Sequence, residues 1–344
     1  MADGPLLSTP ESAPSTTPTL APLPPVDLRP LSTSALIDRG FTLYRAHFVG
    51  LLLLALLCQC APLVGQVLVT WLKLNPTQPE LVQTPGLFFE KLGVLGAIML
   101  AAQFIVFGFE VVITFYISDA YLGRDPSVKA SLRRLSGCLP ASIWTCIVNR
   151  VLIGLTLIFP IVAGGALYFY LLFNFPVTLI PLVTFIAGGS LLMLGAMAPV
   201  LVVFMRLMVT VPALALEGFS GWRAVRRSTE LVRYDPGLGF LYWGEMRLSF
   251  LLLPLFVIEL MVLTLTSAPL TIHQFGEFVR HGATGQIAPP PDSVMILSDV
   301  LTFMAGSLIL PLYSVATTLF YYDIRIRREG FDLDYLTRHL GDLP

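Results

Sequence analysis

Charge is what this chain has least of. Only 12% of its 344 residues are Asp, Glu, Lys or Arg, while 55% are hydrophobic. A soluble domain carries about 25% charged residues. A soluble fold with so few could not cover its surface, so lipid must be the solvent for much of the chain. The near-zero net charge of −1 sets up no global field that would draw nucleic acid or an acidic partner. Cysteine and histidine are scarce too, at four each. Cys58 and Cys60 lie two residues apart in an apolar run and so point to different sides of a helix. They and Cys138 and Cys146 read as small packing residues, not as a redox or metal set.

Chemistry-bearing motifs are missing as well. There is no P-loop, no G-x-S-x-G, no H-E-x-x-H and no Cys/His cluster at metal spacing. His273, Glu277 and His281 recur at helical i, i+4, i+8 spacing, which a solvated helix face explains without a metal. No extramembrane stretch is long enough to fold as a catalytic domain. The expectation is a non-catalytic protein with no cofactor and no metal. The first 30 residues, rich in Pro, Ser and Thr, have neither a basic start nor an apolar core. They read as a disordered cytoplasmic tail and not as a secretory signal.

What is present is a series of long apolar runs. A helix needs about 20 apolar residues to cross the hydrocarbon core, and six runs qualify: about 48–72, 92–118, 143–173, 177–205, 248–267 and 294–321. The predicted class is all-α, a polytopic membrane helix bundle. Its membrane domain covers 31–322, and a basic cytoplasmic tail covers 323–344. Only the turn at 173–176 separates the third and fourth runs. Lys and Arg set the orientation. Of 21 such residues, 17 fall in the N-terminal segment, the second and fourth loops with their flanks, and the C-terminal tail. Three (Lys73, Lys91 and Arg280) fall on the other side, and Arg150 lies inside a span. Both termini are therefore expected in the cytoplasm, in a bacterial inner membrane.

Three basic segments resemble one another: SALIDRGFTLYRAHF, SVKASLRRLSGCLP and GWRAVRRSTELVRY. Aligned on Ala35, Ala130 and Ala224, they step by 95 and 94 residues. Each is followed by two spans, so the six spans read as three helical hairpins, each preceded by a short amphipathic interfacial helix. In the third segment Trp222, Val225 and Val232 can face lipid while Arg223, Arg226, Arg227 and Arg233 reach headgroups. The sharper form of this reading is an anionic-lipid site between helices, made of Arg133, Arg134, Arg226 and Arg227.

Ionisable residues inside spans are costly and mark functional candidates. Glu110, Arg150, Arg206 and Glu259 stand within runs, and Glu245 and Arg247 open the fifth. Arg206 holds the position of Glu110 one repeat on, a step of 96. Pairing of Glu110 with Arg206 or Arg150 is the natural way to keep both ionised. Three readings of the group stand: an ion-pair network fixing helix register, a cytoplasm-facing cavity for a lipid headgroup or small anion, or a proton relay through Glu110 and Glu259. Glu259 has no evident partner at its depth.

The basic ends carry a resemblance. IDRGFTLYRAHF (37–48), DAYLGRDPSVKASLRRL (119–135), RLMVTVPALALEGFSGWRAVRRSTELVR (206–233) and FYYDIRIRREGFDLDYL (320–336) together resemble the bacterial glycerophosphoryl diester phosphodiesterase membrane-domain family. Its most specific pieces are Arg206, Pro212, Glu217, Gly218, Arg226, Arg227 and Ser228, with the closing YYDIRIRREGFDL. The resemblance implies the membrane part of that family without its hydrolase, and it supplies a fold and no catalytic residue. The leading expectation is a membrane module that organises, anchors or regulates partners. Those partners are the bilayer, its anionic lipids and an unidentified membrane protein, with no nucleic acid. A transporter or lipid-handling protein is the second.

Overall fold

The computed structural model describes residues 30–72, 85–174, 197, 199–233, 244–281 and 290–331. Among these residues there is no strand, and nine helices follow one another. They are α1 (Thr33–Ala46), α2 (Phe48–Trp71), α3 (Pro85–Tyr121), α4 (Val128–Asn174), α5 (Pro199–Glu217), α6 (Trp222–Val232), α7 (Gly244–Thr266), α8 (Ala268–His281) and α9 (Asp292–Glu329). Six of them, α2, α3, α4, α5, α7 and α9, are long and apolar enough to cross a membrane. Helix is the form an apolar run takes in lipid, because it satisfies every backbone group within the segment. The chain runs helically through Pro62, Pro140, Pro160, Pro254 and Pro311, as membrane helices allow. Much of the predicted fourth span, and residues 175–176 of the tight turn, lie outside the described residues.

Three boundaries depart from the sequence reading. The second basic segment is not a separate interfacial helix. It is the first part of α4, which continues without a break from Val128 to Asn174. α5 instead breaks at Met208–Val209, before its last stretch Thr210–Glu217. Pro212 has no N–H to offer the carbonyl of Met208, so the ladder cannot run through. α9 outlasts its apolar run and reaches Glu329, so residues 323–329 belong to the bundle and not to a tail. The i,i+4 pairs Asp323–Arg327 and Arg325–Glu329 hold this extension. It ends where Gly330, at φ 63°, returns its N–H to Ile326 in a left-handed cap.

α9 and α3 form the middle of the bundle. α9 packs on α1, α2, α3 and α7 and also reaches α5, α6 and α8, while α3 packs on α2, α4, α5 and α9. The largest fully buried side chains include Tyr321, Phe320, Phe107, Leu51, Leu54, Ile113 and Ile117. The core gathers toward the end that carries the Arg residues: Val112–Tyr121 of α3, Val209–Leu214 of α5, Leu231 and Val232 of α6, and Val315–Ile326 of α9 contribute most of it. At Gly50 α2 and α3 come so close that a Cβ would collide with the Tyr116 hydroxyl.

α1 is part of this packing. Ser32 caps it by accepting from the Ala35 N–H at 3.2 Å. Leu31 bonds Asp323, Gly40 sits against Val315 and Leu319, and the Tyr44 hydroxyl donates to the Leu308 carbonyl at 3.1 Å. These contacts follow in opposite order on the two helices, so α1 runs antiparallel to α9.

Candidate functional site

The polar side chains of the bundle concentrate where α3, α5 and α9 end. Toward the end of each of these helices stands a shielded carboxylate: Asp119, Glu217 and Asp323. Each carboxylate is held by donors from another helical segment. Asp119 is met by Arg134 of α4 at 2.8 Å, with Arg124 at 3.9 Å. Glu217 is met by Arg227 of α6 at 2.8 Å. Asp323 accepts from the Leu31 N–H just before α1 at 2.8 Å, and from Arg247 of α7 and Arg327 of its own helix at 2.8 and 2.9 Å. The side chains of Asp323 and Asp119 are only 1% and 5% exposed, so removing these donors would leave a buried carboxylate without partners, which is expensive. Two of the basic segments that the sequence shows at regular steps thus supply counter-charges, Arg134 to Asp119 and Arg227 to Glu217, whereas Asp323 takes its counter-charges from Arg247 and Arg327 and only a backbone N–H from the N-terminal segment.

The richest of the three groups surrounds Glu217. Its Oε1 accepts from the Tyr321 hydroxyl at 2.5 Å, and Arg325 lies 3.8 Å from the same atom. Arg227 reaches past it to Glu329 at 2.5 Å, and Glu329 takes Arg325 at 2.9 Å. Burial alone pulls the pKa of Arg227 down, but its hydrogen bonds and proximity to Glu217 and Glu329 more than offset this, and the guanidinium is held above its ordinary value. Arg325 also stacks over Phe331 and Tyr321. Arg328 donates to the carbonyls of Glu230 and Arg233, which closes the C-terminal end of α6. α6 enters through Gly221, at φ 55°, whose N–H donates to Thr145 and whose missing Cβ leaves room for the Trp144 indole. Next to this group, Tyr322 and Ser118 share a buried hydrogen bond of 2.7 Å between α9 and α3.

The residues singled out from sequence fall into separate places. Arg206 pairs with Glu245 at 2.7 Å and not with Glu110, because α5 meets the start of α7 at that level. Its own carbonyl accepts from Ser228. Arg247 joins the Asp323 group. Glu259 is exposed on the bundle surface and accepts from the Tyr313 hydroxyl at 2.7 Å, a partner that sequence reading missed. Glu110 and Arg150 are both half-buried and near enough to interact electrostatically. Two buried polar atoms beside them, Nε of Arg150 and Oδ1 of Asn149, have no hydrogen-bond partner. The six therefore make two ion pairs with different partners, one tyrosine–carboxylate pair and one loosely satisfied group.

The four arginines read as lipid contacts divide likewise. Arg134 and Arg227 are engaged by carboxylates of the protein, Arg227 largely buried and Arg134 with its side chain still 45% exposed. Arg133 and Arg226 are exposed, Arg226 paired only with Glu230 one turn on. Of the α6 residues expected to face lipid, Val225 and Val232 are buried in the core and only Trp222 is exposed. Among the described residues no group of three His, Cys, Asp or Glu side chains could hold a metal ion. Glu277 pairs with Arg280 at 3.2 Å, and His273 Nδ1 is buried without a partner. The acids Asp119 and Asp323 and the tyrosines Tyr321 and Tyr322 were not anticipated as a group. Their signal was available as an acid or tyrosine closing each inner apolar run. A comparison with family models, with curated proteins and with solved structures returned no match.

Proposed function

We propose that this is a non-catalytic, multi-pass integral membrane protein acting as a scaffold, anchor or regulatory module of a bacterial inner membrane, with both termini cytoplasmic. The observation that carries this reading is the mutual pairing of its membrane-level charges. Arg206 is answered by Glu245, Arg247 by Asp323, and Arg227 by Glu217 and Glu329. A site built to take an anion keeps its cations unanswered until the ligand arrives. Here each cation closes a contact between two helices, which serves a fixed architecture. The six membrane-length helices support the multi-pass part. The clustering of Arg residues at one end supports the cytoplasmic assignment of that end, and the sequence resemblance supports the bacterial one.

A second reading rests on one specific place. Nε of Arg150, which interacts electrostatically with Glu110, and Oδ1 of the adjacent Asn149 are buried and unpartnered, which is expensive in hydrocarbon unless something polar reaches them. This favours a transporter or lipid-handling protein. Reconstitution separates the two. The protein in liposomes is assayed for inorganic phosphate uptake and for scrambling of a fluorescent phospholipid, read by dithionite quenching. The module reading expects both rates to match protein-free liposomes. Flux above that level, abolished by Arg150→Gln, would replace it with the transport reading.

A further inference from the structure

Glu259 is a carboxylate that an apolar helix face leaves exposed well inside a membrane-length helix. It lies seven residues from the end of α7 at Thr266, so roughly 10 Å inside the span at 1.5 Å per residue. Val257, Ile258, Leu260, Met261 and Leu263 around it are all exposed apolar side chains. Its single hydrogen bond, from Tyr313 of α9, leaves most of the carboxylate's acceptor positions free. A carboxylate in that setting is costly to keep and is rarely placed facing lipid without a counterpart.

One turn along the same helix faces lies an apolar cleft of about 40 Å³ between α1, α7 and α9. Leu255, Ile258, Leu312 and Ala316 form the side nearest Glu259, and Gly40 and Phe41 form the α1 side. Leu255 and Glu259 are i,i+4 on α7, and Tyr313 and Ala316 are i,i+3 on α9, so cleft and carboxylate share one continuous surface. The cleft is too small for a headgroup or a length of acyl chain. It has the size of a side-chain tip, the hole into which a packing helix sets a knob.

We propose that this surface docks a transmembrane helix of another protein. That helix places an aliphatic side chain in the cleft and, one turn away, a Lys or Arg against Glu259. Charge complementarity argues for a different chain over a second copy. Among the described residues, the cations toward the end of the bundle nearer Glu259 are Lys91 and Arg280, and both are already engaged within the chain, Arg280 with Glu277, so a second copy brings no uncommitted described cation to this depth. The inference rests on the module reading and names the kind of partner that module would hold.

The test uses the full chain in lipid nanodiscs and two synthetic transmembrane peptides of Leu and Ala, identical except for one Lys or one Leu set about 10 Å from an end. Association is read by energy transfer from a labelled protein. The Lys peptide is expected to bind wild type roughly tenfold more tightly than the Leu peptide, as a close interfacial charge pair allows. Glu259→Gln should bring the two peptides level. Tyr313→Phe, which keeps the carboxylate, should preserve the preference. Ile258→Trp, which fills the cleft and leaves Glu259 in place, should weaken the Lys peptide. Equal binding of both peptides to wild type overturns the proposal, as does a preference that survives Glu259→Gln. Self-association of the protein that Glu259→Gln abolishes also overturns it, by making the occupant a second copy. None of these outcomes alters the liposome result, and flux in liposomes ends the module reading whatever the peptides do.

Discussion

Arg226 and Arg227 are neighbours in the chain and opposites in environment. The side chain of Arg227 is 23% exposed and bridges two carboxylates, whereas that of Arg226 is 74% exposed and meets one glutamate on its own helix. Helical geometry explains the split, since successive residues point about 100° apart and only one can face the end of α5. Their energetics should differ accordingly. Arg227→Gln takes the nearest cation from Glu217, whose side chain is 11% exposed, and is expected to cost about 2 kcal/mol, below the full cost of breaking a buried pair because Tyr321 and Arg325 stay close and some solvent screening remains. Arg226→Gln should cost less than about 0.5 kcal/mol. Thermal unfolding in detergent, followed by loss of the monodisperse peak, reads both. Similar losses for the two variants would refute the division.

At the scale of elements, the unexpected piece is α1. As an amphipathic segment it suits the membrane interface, and the sequence offers no sign that it packs along α9. That packing depends on a partner almost 300 residues away, since Asp323 accepts the Leu31 N–H across 292 positions. Asp323→Asn keeps the size of the side chain but removes the charge that holds Arg247, Arg327 and the approach to α1. It is expected to loosen α1 selectively, with trypsin cutting after Arg39 or Arg45 at least several-fold faster than in wild type while α6 keeps its protection. Unchanged cleavage would show that Gly40 and Tyr44 hold α1 without the carboxylate. The six spans were legible because their signal is local: an apolar run of membrane length must become a helix. The pairing of charges was not, because it depends on which helix ends meet. Arg206 and Glu110 sit at matching repeat positions, but Arg206 turns to Glu245. The regular basic segments did point to the right end of the bundle, where Asp119 and Glu217 receive the second and third of them.

Across the whole molecule, core and charge share one end. The buried aromatics Phe320, Tyr321 and Tyr322 stand beside the ion pairs of Glu217 and Asp323, while the opposite halves of α2, α4, α7 and α9 leave large apolar side chains exposed along much of their length. Lipid supplies no hydrophobic force between helices, so association within the bilayer leans on packing and polar contacts. A ring of paired charges at the helix ends, where the dielectric is higher and the desolvation cost smaller, is a workable way to fix six spans relative to one another. The central claim is that the membrane-level charges join helices and do not wait for a ligand. Arg206 and Glu245 test it most directly, as a one-to-one pair between α5 and α7 at 2.7 Å. The measurement is a double-mutant cycle of thermal stability on Arg206→Glu, Glu245→Arg and the exchanged double variant. Both single variants should lose stability and the double variant should recover most of it, with a coupling of about 1 kcal/mol once the partial exposure of Arg206 is allowed for. Additive losses, or single variants as stable as wild type, would contradict the account.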